Sequence, residues 1–279
     1  MRAARTAVAI AVGVTACGTP APVAEPPDPG IVHVHGLDVD AEDGSLYIAT
    51  HTGLFRAAEG EPAQRIGERW HDLMGFTVAG PGDLIASGHP DLRDEALQRP
   101  DAPPLLGLVE SSDQGSSWQE TSLLGEVDFH ALQASHGLVY GADSTSGAFM
   151  VSQDRRTWET RSQPSLLDFA VSPSDPEAIV GISERGVLRS ADGGRTWDPV
   201  AAPPLTALAW GESGLIGIAP DGAVLRAEDE ATNWQQLASL AGPPEALHAE
   251  GATLYAAATD RGVLRSDDGG ATWSTVVQP

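Results

Sequence analysis

Ser190-Ala-Asp192-Gly-Gly194-Arg-Thr196-Trp197 and Ser266-Asp-Asp268-Gly-Gly270-Ala-Thr272-Trp273 share the pattern S-x-D-x-G-x-T-W. Ser111-Ser-Asp113-Gln-Gly115-Ser-Ser117-Trp118 matches with Ser in place of Thr. Ser152-Gln-Asp154-Arg-Arg-Thr157-Trp158 is one residue short, and Ala227-Glu-Asp229-Glu-Ala-Thr-Asn233-Trp234 is degenerate. Each reads as a tight turn between strands. The Asp side chain accepts amide N–H bonds, Gly takes a positive φ, and Trp covers the hairpin with buried area.

A short β-type run opening on Gly accompanies every such turn. The runs are Gly53-Leu-Phe-Arg56, Gly107-Leu-Val-Glu110, Gly147-Ala-Phe-Met150, Gly186-Val-Leu-Arg189, Gly222-Ala-Val-Leu225 and Gly262-Val-Leu-Arg265. They start 54, 40, 39, 36 and 40 residues apart, and after the last five a Trp follows at 11 or 12 residues. The first unit has Gln64 near that place. A period near 40 marks a repeat architecture. The last unit shows the plan: Ala246–Ala249, Thr253–Ala257, Val263–Arg265 and Thr272–Val276, four short strands set apart by Gly and Asp turns. This predicts an all-β chain, a six-bladed β-propeller over 31–279, with blades near 31–68, 69–126, 127–165, 166–203, 204–242 and 243–279. Asp38-Val-Asp40-Ala-Glu42-Asp-Gly44 reads as the first strand one–two turn. The first unit is already complete, so the ring is expected to close by packing Ile31–Asp38 on the last blade, with no exchanged strand.

The repeated turn resembles the Asp-box of the sialidase-like (BNR) propellers, often named glycosyl hydrolases or exo-alpha-sialidases. The resemblance covers nearly the whole of 31–279. It implies a structural role for Asp113, Asp154, Asp192, Asp229 and Asp268, and for Trp118, Trp158, Trp197, Trp234 and Trp273, on the face opposite the ligand site. Sialidase activity itself implies three Arg clamping a carboxylate, a Tyr–Glu nucleophile pair and an Asp acid/base. No innermost-strand start here carries Arg. Tyr47, Tyr140 and Tyr255 occupy equivalent strand-two positions and read as packing residues, and Arg56, Arg189 and Arg265 lead towards the turn end of the blades.

The chain has 279 residues, a net charge of −23 and 16 basic residues, all of them Arg. Such a balance excludes nucleic acid as an electrostatically driven partner. One Cys excludes a disulfide scaffold. That Cys17 ends Val14-Thr15-Ala16-Cys17, after Arg2, Arg5 and a short apolar run over Ala7–Val14. The segment resembles a bacterial lipobox. It implies a signal peptide over 1–16, lipidation of Cys17 and a lipoprotein held at the extracytoplasmic face of the cell membrane. Residues 17–30, with Pro at 20, 22, 26, 27 and 29, read as a tether reaching roughly 40 Å.

In a propeller the start of each innermost strand and each strand two–three loop share one face. Six of the eight His fall there: His33, His35, His51, His71, His89 and His130. Asp72, Asp128, Asp168 and Glu245 join them from innermost-strand starts. The loops add Asp143, Glu184, Asp221 and Asp260, while His136 and His248 lie elsewhere. The six His are candidate ligand-binding residues, and His33, His35, His71 and His130 are candidate ligands for a divalent metal. The four carboxylates are the catalytic candidates, since glycoside hydrolysis needs only a matched pair. Blade two carries an insert over Asp91–Pro104 that reads as a lid or binding loop on this face. The expected function is a monomeric binding module for a ligand, a glycan or an envelope protein. A glycoside hydrolase of unassigned substrate is one alternative. The other is an assembly factor resembling the photosystem-type or sortilin-type propellers.

Overall fold

The computed structural model describes residues 28–229 and 231–278. Cys17, the signal segment and most of the Pro-rich stretch lie outside them, as does the side chain of Asp229. Six four-stranded antiparallel sheets follow one another along the chain: Val34–Ile66, Asp72–Ser122, Phe129–Ser162, Leu166–Pro199, Ala207–Ser239 and Pro244–Val277. In each sheet the strands lie in sequence order, the first innermost. This is a six-bladed β-propeller.

The strand residues bury apolar side chains on both faces, because each blade is covered on both sides by its neighbours. Six apolar cores result, one in each gap between adjacent blades. Tyr47 and Tyr140 are fully buried in these gaps and Tyr255 nearly so, which makes them packing residues.

The gap between blades 6 and 1 closes without strand exchange. Leu37, Ile48 and Phe55 of blade 1 pack with Ala257, Val263 and Val277 of blade 6, and Ile31 rests on the same cluster. The Val34 amide donates to Glu245 Oε2 at 2.9 Å across this seam. Similar side-chain bonds tie other pairs of innermost strands. The Val78 amide donates to Asp38 Oδ2 (2.8 Å), the Val171 amide to Gln133 Oε1 (3.0 Å) and the Leu208 amide to Asp168 Oδ2 (2.7 Å).

The S-x-D-x-G-x-T-W turns are closed by their own side chains. Ser190 Oγ donates to Asp192 Oδ1 (2.8 Å) and accepts from the Gly194 amide (2.8 Å), while Asp192 accepts from the Thr196 amide (2.9 Å) and hydroxyl (2.6 Å). The same bonds recur around Asp113 and Asp268. The shortened turn keeps the Asp154–Thr157 bonds, with Arg155 taking the positive φ of 61°. Blade 5 instead makes a tight hairpin pairing Asp229 with Thr232, and Trp234 Nε1 donates to Ala231 O at 3.0 Å. These turns also buttress the preceding blade: Gly194 lies on the Phe149 ring of blade 3, and Gly115 on Leu54 of blade 1.

Candidate functional site at the channel mouth

The innermost strands enclose a central cavity of about 670 Å³. Its mouth is shaped by an irregularity shared by five blades. The first ladder of each innermost strand slips by one residue, leaving His35, Met74, His130, Leu167 and Glu245 without a partner opposite. A bulge bends its strand and re-aims the extra side chain. All five line the cavity. Blade 5 alone runs in straight register from Ala207.

Around this rim the structure gathers four of the six candidate His on two carboxylates, and a fifth on Glu245. Asp72 is the first centre. His35 Nε2 lies 3.2 Å from its Oδ1, and His51 Nδ1 and His89 Nδ1 lie 3.0 and 3.5 Å from its Oδ2. Burial works to raise the Asp72 carboxyl, but the neighbouring imidazoles of His35, His51 and His89 outweigh it and hold the group below the usual carboxylate range. Asp128 is the second centre. His130 Nε2 lies 2.8 Å from its Oδ2, the Ser144 hydroxyl donates to the same oxygen at 3.2 Å, and His89 Nε2 lies 3.6 Å away. His89 therefore bridges the two carboxylates through its two ring nitrogens. His33 stands at the seam, 3.6 Å from Glu245 Oε1, with its ring edge-to-face on His35 at 4.7 Å.

His71 is not brought to this group. It is buried beneath the blade-two insert, where Nδ1 accepts from the Asp91 amide at 3.0 Å and Nε2 lies 3.7 Å from Asp94. Burial pushes its imidazole below its ordinary value. The insert it holds is anchored elsewhere too. Leu97 enters the core between blades 1 and 2, and Arg99 reaches Leu124 O (2.9 Å) and Glu126 (3.0 Å). The four metal candidates named from sequence thus do not converge, whereas His35, His51 and Asp72 offer three ligand atoms all within 4.8 Å of one another.

The catalytic candidates also separate. Glu245 holds the seam through the Val34 amide and accepts from the Thr259 hydroxyl at 2.8 Å. Asp168 accepts from the Phe169 amide (2.8 Å) and the Leu208 amide, joining blades 4 and 5. Burial pushes its carboxyl up to about 7 against the pull of those two amides. Asp143 binds its own loop through Thr145 and Ser146 and takes the Asp128 amide at 3.0 Å, and Asp221 accepts from the Ala223 amide. Asp72 and Asp128 each face two or more imidazoles, whereas Glu245 faces His33 alone. His248 lies elsewhere on the channel wall, 3.3 Å from Asp38, and His136 Nε2 donates to Ser172 O at 2.8 Å.

No protein-family model and no curated protein matches this sequence. Solved structures match its fold. YCF48 bound to D1 peptide is 16% identical with a TM-score of 0.57, over 88% of this chain and 82% of that one. YCF48 from Cyanidioschyzon merolae is 15% identical with a TM-score of 0.52, over 89% and 86%. A GH74 xyloglucanase from Xanthomonas campestris is 18% identical with a TM-score of 0.60, over 88% of this chain and 45% of that one, so the chain spans less than half of the enzyme. At these identities the likeness establishes the fold.

Proposed function

We propose that the chain is an extracytoplasmic, lipid-anchored binding module that takes a polar ligand or protein segment at the channel mouth. One observation carries this reading: equivalent bulges turn His35, His130 and Glu245 into one rim, where four His meet Asp72 and Asp128 and His33 meets Glu245 over an open cavity. Imidazoles and carboxylates together supply both donors and acceptors to a ligand. Val32, Leu92 and Leu167, three of the four large apolar side chains exposed among the described residues, belong to segments of the same face. A polar centre with apolar flanks suits a peptide. YCF48, of similar fold, is known with a bound peptide. Hydrolysis fits less well. An acid/base pair needs one carboxyl held protonated. The imidazoles keep Asp72 ionised, and Asp168 is committed to two amides.

The test is binding of candidate polar ligands and of acidic, basic and neutral peptides to the full-length chain and to His35→Ala and His130→Ala variants. Binding weakened in both variants is expected. Variants that bind every ligand as the wild type does would remove the mouth as the site. Anchoring is tested separately by metabolic labelling with a fatty acid, expected in the wild type and lost in Cys17→Ser.

A further inference from the structure

Resting on that reading and narrowing it, the geometry points to a divalent transition-metal site made by His35 Nε2, His51 Nδ1 and the Asp72 carboxylate, spanning blades 1 and 2. One ligand atom from each residue already lies within 4.8 Å of the other two, His35 Nε2 standing 3.2 Å from Asp72 Oδ1 and His51 Nδ1 3.0 Å from Asp72 Oδ2. Ligands about 2.0–2.2 Å from a tetrahedral ion are separated by about 3.3–3.5 Å. Contraction of the wider edges, which are at most 4.8 Å, completes the triangle.

A second observation is independent of the spacing. His35 Nε2 and Asp72 Oδ1 are both buried from solvent and neither makes a hydrogen bond. Leaving two buried polar atoms facing each other at 3.2 Å without a bond is costly. An ion between them satisfies both.

The surroundings hold the ligands in place. The His51 amide is bonded to Val32 O and His33 O, each at 3.1 Å, which fixes its loop against the start of the innermost strand. The His33 ring lies edge-on to His35 and limits its rotation. His89 Nδ1 stands 3.5 Å from Asp72 Oδ2, a further imidazole beside the carboxylate. Three protein ligands leave one tetrahedral position open, and the exposed His51 places that position at the mouth. Two imidazoles and one carboxylate select zinc, copper or nickel over magnesium and calcium, which prefer oxygen ligands throughout. The open position is where an incoming donor group would bind.

The full-length chain, made without a histidine tag and stripped with chelator, is titrated calorimetrically with Zn²⁺ alone and with Ca²⁺ alone. One Zn²⁺ per chain and no heat from Ca²⁺ are expected. Zn²⁺ should bind at least about tenfold more weakly to His51→Ala and Asp72→Asn, and unchanged to His136→Ala. His51 is largely exposed, so its removal tests ligation without threatening the fold. Cu²⁺ then reports the ligands directly: electron spin resonance should show two coupled imidazole nitrogens in the wild type and one in His51→Ala. A folded wild type that takes up no stoichiometric Zn²⁺, or uptake undiminished in both ligand variants, overturns the assignment. If Zn²⁺ fails while a polar ligand still binds in a His35-dependent way, the metal falls and the binding module stands. If both fail, both fall.

Discussion

Gly115, Gly194 and Gly270 occupy the same place in three equivalent turns, with φ of 88°, 87° and 96°. Replacing each by Ala imposes the same backbone strain, roughly 1–2 kcal/mol for an L-residue in the left-handed region. What differs is the neighbour each new Cβ meets. At Gly194 it falls far inside contact with the Phe149 ring. That ring cannot yield: it is fully buried and packed edge-on against Phe169 (5.2 Å) and Trp197 (5.4 Å). At Gly115 the clash is with a terminal methyl of Leu54, which can change rotamer. At Gly270 the nearest atoms, on Leu254 and Val224, lie 3.3 and 3.4 Å away and need shift only slightly. Overpacking a rigid core costs about 1–3 kcal/mol more. Gly194→Ala should therefore lose about 2–5 kcal/mol, Gly270→Ala about 1–2 kcal/mol, and Gly115→Ala should fall between. Urea denaturation followed by Trp fluorescence gives the three midpoints, and an unchanged slope licenses the comparison. Equal losses within about 0.5 kcal/mol, or the reverse order, would refute the claim that these turns brace the neighbouring blade.

Two further outcomes follow from groups near the mouth. Asp168 has its carboxyl raised from 3.8 to about 7 in the folded chain, so between those values the native state holds a proton that the unfolded chain has released. The wild type should accordingly lose stability as pH rises through that window, and Asp168→Asn should lack that part of the slope. Midpoints measured at pH 5 and pH 7.5 check this, and identical slopes in the two proteins would refute it. His71→Ala removes the acceptor of the Asp91 amide and the floor beneath the insert. Trypsin should then cut within residues 91–104 faster than in the wild type, whereas unchanged cutting would show that Leu97 and Arg99 suffice to hold it.

The propeller was legible because its signals are periodic and local. The spacing from each Gly to its Trp, and the Ser–Asp–Thr side chains that close their own turn, need no distant partner. The common face of the six His was legible for the same reason, since innermost-strand starts recur with the blade. The grouping within that face was not. Five bulges break the two-residue alternation at the starts of the innermost strands, and no residue type announces them: the extra residue is His, Met, His, Leu and Glu in turn. His71 was assigned to the rim by position, but its ring is drawn under an insert whose own fold the repeat does not encode. The roles of Asp168 and Glu245 as inter-blade acceptors depend on amides 40 and 211 residues away, which spacing within a repeat cannot reveal.

The seam between blades 6 and 1 has a consequence for how the molecule is made. Other blade junctions bonded by innermost side chains join residues about forty positions apart, as Asp38 joins Val78 and Asp168 joins Leu208. The seam joins Val34 to Glu245 across 211. Chain-closure entropy makes that junction about 1.5 kcal/mol more costly than the rest. During synthesis five junctions can zip in order from the N-terminus, leaving a crescent whose final contact waits for the last blade. The same junction is the one that the described chain does not itself cross. It runs past His33 and Glu245, so an occupant of the mouth that engages these two would also fasten the crescent into a ring.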